Sequence, residues 1–102
     1  MARLLVAKGA VERLRREPHL SAKVMGLVAD FHKFNAQELR EHKGIHLERH
    51  KASRDPAART ARLDGNHRAI LWDTGDDETY MLETFGTHDE TDRWMHNNEL
   101  RR

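Results

Sequence analysis

Cysteine is absent from the 102 residues, and only two prolines and six glycines are present. The first absence excludes disulfides, thiolate zinc sites and cysteine nucleophiles. So little proline and glycine leaves no low-complexity linker, and no internal repeat is visible. The expectation is therefore a single domain spanning residues 1–102. Long hydrophobic runs are missing too, and no apolar stretch approaches the roughly 20 residues of a membrane span. The opening MARLLVAKGAVERL is too short in its apolar part, and charged too soon, for a secretory signal. A cytoplasmic protein without a membrane partner is expected.

What is present is charge. Charged residues make up 34% of the chain and hydrophobic ones 37%, which leaves little core to spare, and the formal net charge is only +1. That balance hides a division. Residues 1–68 carry 15 Lys and Arg against 8 Asp and Glu, whereas residues 69–102 carry 3 against 9. A basic half can provide an electrostatic footprint for nucleic acid even in a near-neutral protein. The alternative is that the two halves neutralise each other within the fold.

The hydrophobic pattern predicts an α+β order of β-α-α-β-β-β-α. ARLLVA (2–7) reads as an edge strand, and residues 8–17 as a short amphipathic helix stopped by Pro18. Ser21 is placed to cap a second helix, in which Val24, Leu27, Val28, Phe31 and Phe34 recur at spacings of three and four. Residues 35–58 predict a turn of helix up to Lys43, an extended piece at Ile45–Leu47, then a loop. Beyond Pro56, residues 59–64 and 67–72 flank the turn dipeptide GN as a hairpin. DTGDDE (73–78) is a second turn, 79–85 a third strand, and 89–100 a final helix.

Local physics explains much of the charged punctuation. Thr87 and Glu90 make a T-x-x-E capping box, and Asp89, Glu90 and Asp92 suit the positive end of the last helix dipole. Capping does not account for His88 at that strand-to-helix junction. Arg62 and Arg68 lie on neighbouring strands of the hairpin. They are either sheet arginines paired with Asp64 or Glu83, or two guanidiniums that hold a phosphate. Arg49, Lys51, Arg54 and Arg59 extend the basic character upstream. His42, His46 and His50 recur every four residues, a spacing that binds metal on a continuous helix. Gly44 interrupts that run and no H-E-x-x-H is present, so neither a metal nor another cofactor is expected. Trp72 and Tyr80 read as packing residues, and Trp94 either packs on the sheet or stacks on a base.

The stretch GIHLERHKASRDPAARTARLDGNHRAILW, followed by TYMLETFGTHDETDRW, resembles the RelE/ParE toxin superfamily. It looks most like the RelE-like domain in front of UvrD-type helicases, where G-h-x-L-E, R-T-x-R, an arginine-bearing strand and H-D-[DE]-A-Y-x-W recur. The likeness covers residues 44–94 by motif and the rest by element order. It implies an antiparallel sheet with two N-terminal helices on one face and a C-terminal helix. In the ribosome-dependent mRNA interferases of that superfamily, the ribose 2′-hydroxyl attacks the adjacent phosphate without a metal. The resemblance then implies Arg62 and Arg68 as phosphate clamps and His88 in the place of a catalytic arginine. Arg59 would add to the nucleic-acid surface, and Trp94 or His67 would stack on a base.

Two departures stand out. Asp92 occupies the tyrosine position of the pattern, and Thr60 stands where active interferases commonly carry lysine or arginine. A carboxylate at such a place repels RNA phosphate, and the acidic last third lacks the basic surplus of ribosome-binding toxins. These features favour a non-cleaving accessory domain of nucleic-acid metabolism, fused ahead of, or working beside, a UvrD-type helicase. The alternative is a stand-alone type II toxin, a metal-independent mRNA interferase that acts on RNA at the ribosome and is neutralised by an antitoxin. A third reading is a toxin fold that binds a topoisomerase or another protein without cleaving anything.

Overall fold

Residues 2–45, 47–49, 57–76 and 78–97 are described by the structure, a computed structural model. Lys8–Arg16 forms helix α1, with Arg13, Arg15 and Arg16 in its last turn, where cations suit the negative end of the dipole. Pro18 begins a short 3-10 turn, Pro18–Leu20, that runs directly into α2, Ser21–Phe31. Ser21 is thus the first helical residue rather than a cap, and no side chain caps α2. Val24, Leu27 and Phe31 on its stripe are buried. The six-residue α3, Ala36–Glu41, starts at a reciprocal capping box. The Asn35 side chain accepts from Glu38 N at 2.9 Å, and the Glu38 carboxylate accepts from Asn35 N at 3.1 Å.

Five strands follow the order β1-β5-β4-β3-β2: β1 Arg3–Val6, β2 Glu48–Arg49, β3 Ala58–Arg62, β4 His67–Asp73 and β5 Thr79–Thr87. Strands β2 to β5 pair antiparallel in sequence order, as the turn dipeptides require. Strand β1 is the exception to an all-antiparallel sheet and pairs parallel with β5. A helical crossover, not a hairpin, leads away from β1, and that is the connection parallel neighbours need. In place of the extended piece expected at Ile45–Leu47 with a loop after it, Ile45 is in a turn whose carbonyl accepts from Arg62 N at 2.7 Å, His46 lies outside the described residues, and the strand is β2 at Glu48–Arg49.

Alternation along the strands makes two faces. Leu4, Ala61, Ala69, Leu71, Tyr80, Leu82 and Phe85 meet Val24, Leu27 and Phe31 in the principal core, under α1 and α2. Phe31 and Tyr80 pack edge to face with ring centroids 5.5 Å apart. Each buried Val, Leu or Phe side chain there contributes about 1.5–3 kcal/mol. On the opposite face Ala58 and Ile70 meet Met95 of α4, His88–Asn97, with Trp72 and Trp94 packed beside them. Leu82 and Phe85 reach the same core although they are three residues apart. A bulge allows this: Ile70 pairs with Thr84 and Leu71 with Leu82, so Glu83 has no residue opposite it. Among the described residues, no helix is long and apolar enough to cross a membrane.

Candidate active site

Strand register decides which basic residues meet. Arg62 and Arg68 are directly opposite one another across β3 and β4, so both rise from the face that α4 covers. Glu48 is opposite Thr60, which puts its side chain on that face as well. On β5 the residue opposite Arg68 is Gly86. With no side chain there, the way from Arg68 to the first residue of α4 is open.

Arg68 uses that opening. Its Nε donates to His88 Nε2 at 3.2 Å, and its Nη1 donates to Glu48 Oε1 at 3.4 Å. The Arg68 side chain is 25% exposed and that of Glu48 44%, so both partners can be reached from solvent. His88 is exposed. Accepting at Nε2 puts the imidazole proton on Nδ1. Arg62 is exposed and has no ion-pair partner among the described residues. The array thus offers an acceptor-only carboxylate, a fixed cation, an imidazole and a second guanidinium. It can accept a proton, hold an anionic oxygen and donate a proton.

His88 is held from behind. Thr87 N donates to Glu90 Oε1 at 3.0 Å and Glu90 N to Thr87 Oγ1 at 3.2 Å, the capping box read from the sequence. Thr91 Oγ1 donates to the carbonyls of Thr87 and His88, each at 3.0 Å. From α1, Arg13 Nη2 reaches the other Glu90 oxygen at 2.6 Å. The Arg13 hydrogen bond, followed by the Thr87 N–H, holds the Glu90 carboxyl down at about 2. A methyl group on Gly86 would lie 3.2 Å from Glu90 Cβ and 3.3 Å from Arg13 Nη2, so glycine lets this strut lie flat on β5.

Other predicted site residues lie elsewhere. His67 does not face the arginines; its Nδ1 is 2.9 Å from Asp64 Oδ1, and strand alternation turns it away from Arg68. Asp64 also binds the Lys23 ammonium and accepts from Asn66 N and His67 N. Lys23 first, then those N–H groups and His67, hold its carboxyl well below the usual range. Arg59 sits on the opposite parity of β3, donating to its neighbour's carbonyl, Ala58 O, at 3.0 Å and lying 3.8 Å from Asp73. Trp94 lines a cleft between α1 and α4 with Arg13, Thr84 and Arg93. Neither Asp64 nor Glu83 pairs with Arg62 or Arg68; the carboxylate partner of Arg68 is Glu48.

The two departures from the family pattern look different in three dimensions. Thr60 is buried, so it is not a place from which a surface cation has been lost. Asp92 is on the exposed side of α4. In the histidine series, His42 Nδ1 accepts from Ile45 N at 3.1 Å and its ring packs at a tilt of 55° against Phe34. His46 and His50 lie outside the described residues, as do Lys51 and Arg54. Sequence reasoning missed Glu48. Its signal was a lone carboxylate in the G-h-x-L-E stretch, next to a segment read as loop.

No protein-family model matches the chain, and no curated protein does. Solved structures match over almost the whole chain. A chain of the E. coli DinJ–YafQ complex is 14% identical, with 88% of this chain and 97% of that chain covered at a TM-score of 0.56. The YoeB/ParE toxin from Agrobacterium tumefaciens is 14% identical, with 84% and 98% covered at 0.57. A metal-bound toxin from Helicobacter pylori is 18% identical, with 88% and 98% covered at 0.57. Identities this low speak to architecture alone, and on that count the chain has the fold shared by the YafQ and YoeB toxins.

Proposed function

We propose that this chain is the toxin of a toxin–antitoxin pair and cleaves mRNA at the ribosome with its own side chains. The carrying observation is the solvent-accessible Glu48–Arg68–His88 array on the sheet face beside α4. Glu48 takes the proton of a ribose 2′-hydroxyl as that oxygen attacks the adjacent phosphorus. Arg68 and Arg62 hold the non-bridging oxygens as negative charge grows on them. His88, protonated on Nε2, delivers that proton to the departing 5′-oxygen. The O2′–P bond forms and the P–O5′ bond breaks, leaving a 2′,3′-cyclic phosphate and a 5′-hydroxyl. Each proton transfer contributes about 10²–10⁴-fold and each oxyanion contact about 10²–10³-fold.

In the resting protein Arg68 occupies both its neighbours. An incoming phosphate draws the guanidinium forward, which releases its hydrogen bonds to Glu48 and His88 and frees His88 Nε2 to take up a proton. The basic first two thirds of the chain supply attraction for the ribosomal RNA backbone. The solved structures that share this fold include toxins of the YafQ and YoeB kinds, one of them from a complex with DinJ. That supports a stand-alone toxin over a helicase accessory domain, and an antitoxin as its partner. DinJ–YafQ is described as a toxin–antitoxin complex.

Induced expression of the chain in bacteria tests this. Growth arrest with fragmentation of mRNA is expected, and Arg68→Ala should abolish both while the protein stays folded. Undisturbed growth at high expression, or arrest that survives Arg68→Ala, contradicts the reading.

A further inference from the structure

Beyond α4, the sheet face that carries the array continues as an apolar strip that runs from half-buried Trp72 and Met81 out to exposed Leu5. Leu5 is in register with Met81, and Met81 with Trp72, so the three form a row from the β1 edge inward. Leu5 is 43% exposed. Trp72, Thr74, Met81 and Glu83 line a cleft of about 280 Å³ along this row. Among the described residues, Glu83 is its one charged wall. Glu83 is the bulge residue of β5, without a cross-strand neighbour, and it lines both this cleft and the adjoining one beside α1.

We propose that this cleft is a docking pocket for a lysine or arginine side chain of a partner polypeptide. The stem of that side chain would lie against Trp72 and Met81, and its charge would meet Glu83. Long cationic side chains bury their methylenes on apolar surface while the head finds a carboxylate. Glu83 makes no side-chain hydrogen bond or ion pair among the described residues. Burial pushes its carboxyl up with nothing to offset the cost. The nearest arginines do not supply the missing cation. Arg13 and Arg16 line the adjoining cleft with Glu12, Glu83 and Trp94. Arg13 is committed to Glu17 and Glu90, and Arg16 forms no ion pair with Glu83.

The charge selects the occupant. A nucleic-acid backbone is repelled by a desolvated carboxylate, whereas a basic residue flanked by apolar ones satisfies both the pocket and the exposed Leu5. The inference rests on the proposed function only for the partner's identity, which under that reading is the antitoxin. The pocket itself stands on geometry.

The test uses a short probe peptide, acetyl-Leu-Arg-Leu-amide, titrated into the full chain with NMR detection. A counterpart with citrulline for arginine keeps the shape and removes the charge. Saturable shifts at the Trp72 indole and the Met81 methyl are expected, with the His88 signals unmoved. Affinity should fall about tenfold or more for the citrulline peptide, and likewise for Glu83→Gln with the arginine peptide. Equal affinity of the two peptides, no loss in Glu83→Gln, shifts centred on Arg68 and His88, or no saturable shift up to about 10 mM would each overturn the proposal. The readout is peptide binding rather than RNA cleavage, so its failure and that of the proposed function are separately visible.

Discussion

Arg68 donates to His88 at 3.2 Å with Nε and to Glu48 at 3.4 Å with Nη1, so one guanidinium joins β2, β4 and the first turn of α4. The planar fork is what permits this. A lysine ammonium at the same place is a point charge on a flexible stem and cannot hold both neighbours. Arg68→Lys is therefore expected to lower the single-turnover cleavage rate by about 10²–10³-fold. The circular dichroism spectrum should not change. A rate within a few-fold of the parent would remove the fork from the mechanism.

Glu48→Gln separates base from clamp. The amide still accepts a hydrogen bond from Arg68 but takes no proton from a hydroxyl. The expected loss is about 10²–10⁴-fold in rate, with RNA affinity unchanged or slightly tighter. Fluorescence anisotropy with a non-cleavable RNA, run beside the rate assay, separates the two effects.

The Arg13–Glu90 strut carries a pH signature. Glu90 has its carboxyl lowered from 4.5 to about 2 in the fold, so its contribution is fully present above about 4.5 and is lost as pH falls toward 2. The Glu90 side chain is 44% exposed, and solvent screening limits the pair to about 1 kcal/mol or less. Urea midpoints of the parent and Glu90→Gln should differ at neutral pH and converge between pH 4.5 and 2. A constant difference across that window contradicts the assignment.

Gly86→Ala probes the same contact from below. The added methyl meets Glu90 Cβ and Oε1 at 3.2 Å and Arg13 Nη2 at 3.3 Å, all tighter than ordinary packing. A cost of about 1–3 kcal/mol is expected from this overpacking. Shortening the neighbour in the double variant Gly86→Ala with Glu90→Ala should recover part of it beyond additivity. Strictly additive losses in denaturant unfolding would show that the methyl is accommodated elsewhere.

Much of the architecture was legible because the amphipathic periods are strong. The stripe from Val24 to Phe31 and the hairpin around GN needed only local rules. Strand β1 was legible as a strand, but its parallel partner was not, because a crossover leaves no turn signal. The site was half legible. Arg62, Arg68 and His88 announced themselves by type and position, and register brought them to one face. Glu48 did not, since a two-residue strand has no periodicity to read and its meaning comes only from pairing with β3. His67 misled for a similar reason. A neighbour of Arg68 in sequence points to the opposite side of a sheet, and Asp64 was already waiting there.

The most direct test of the central claim is a single-atom change in the substrate. An mRNA programmed on a translating ribosome is cut by the protein, the cut is mapped, and the nucleotide on its 5′ side is then replaced by its 2′-deoxy form. The account predicts that cleavage at that position disappears, and that products of the all-ribose mRNA end in a 2′,3′-cyclic phosphate opposite a 5′-hydroxyl. Cutting that persists at the deoxy position, or products ending in a 5′-phosphate, would contradict it.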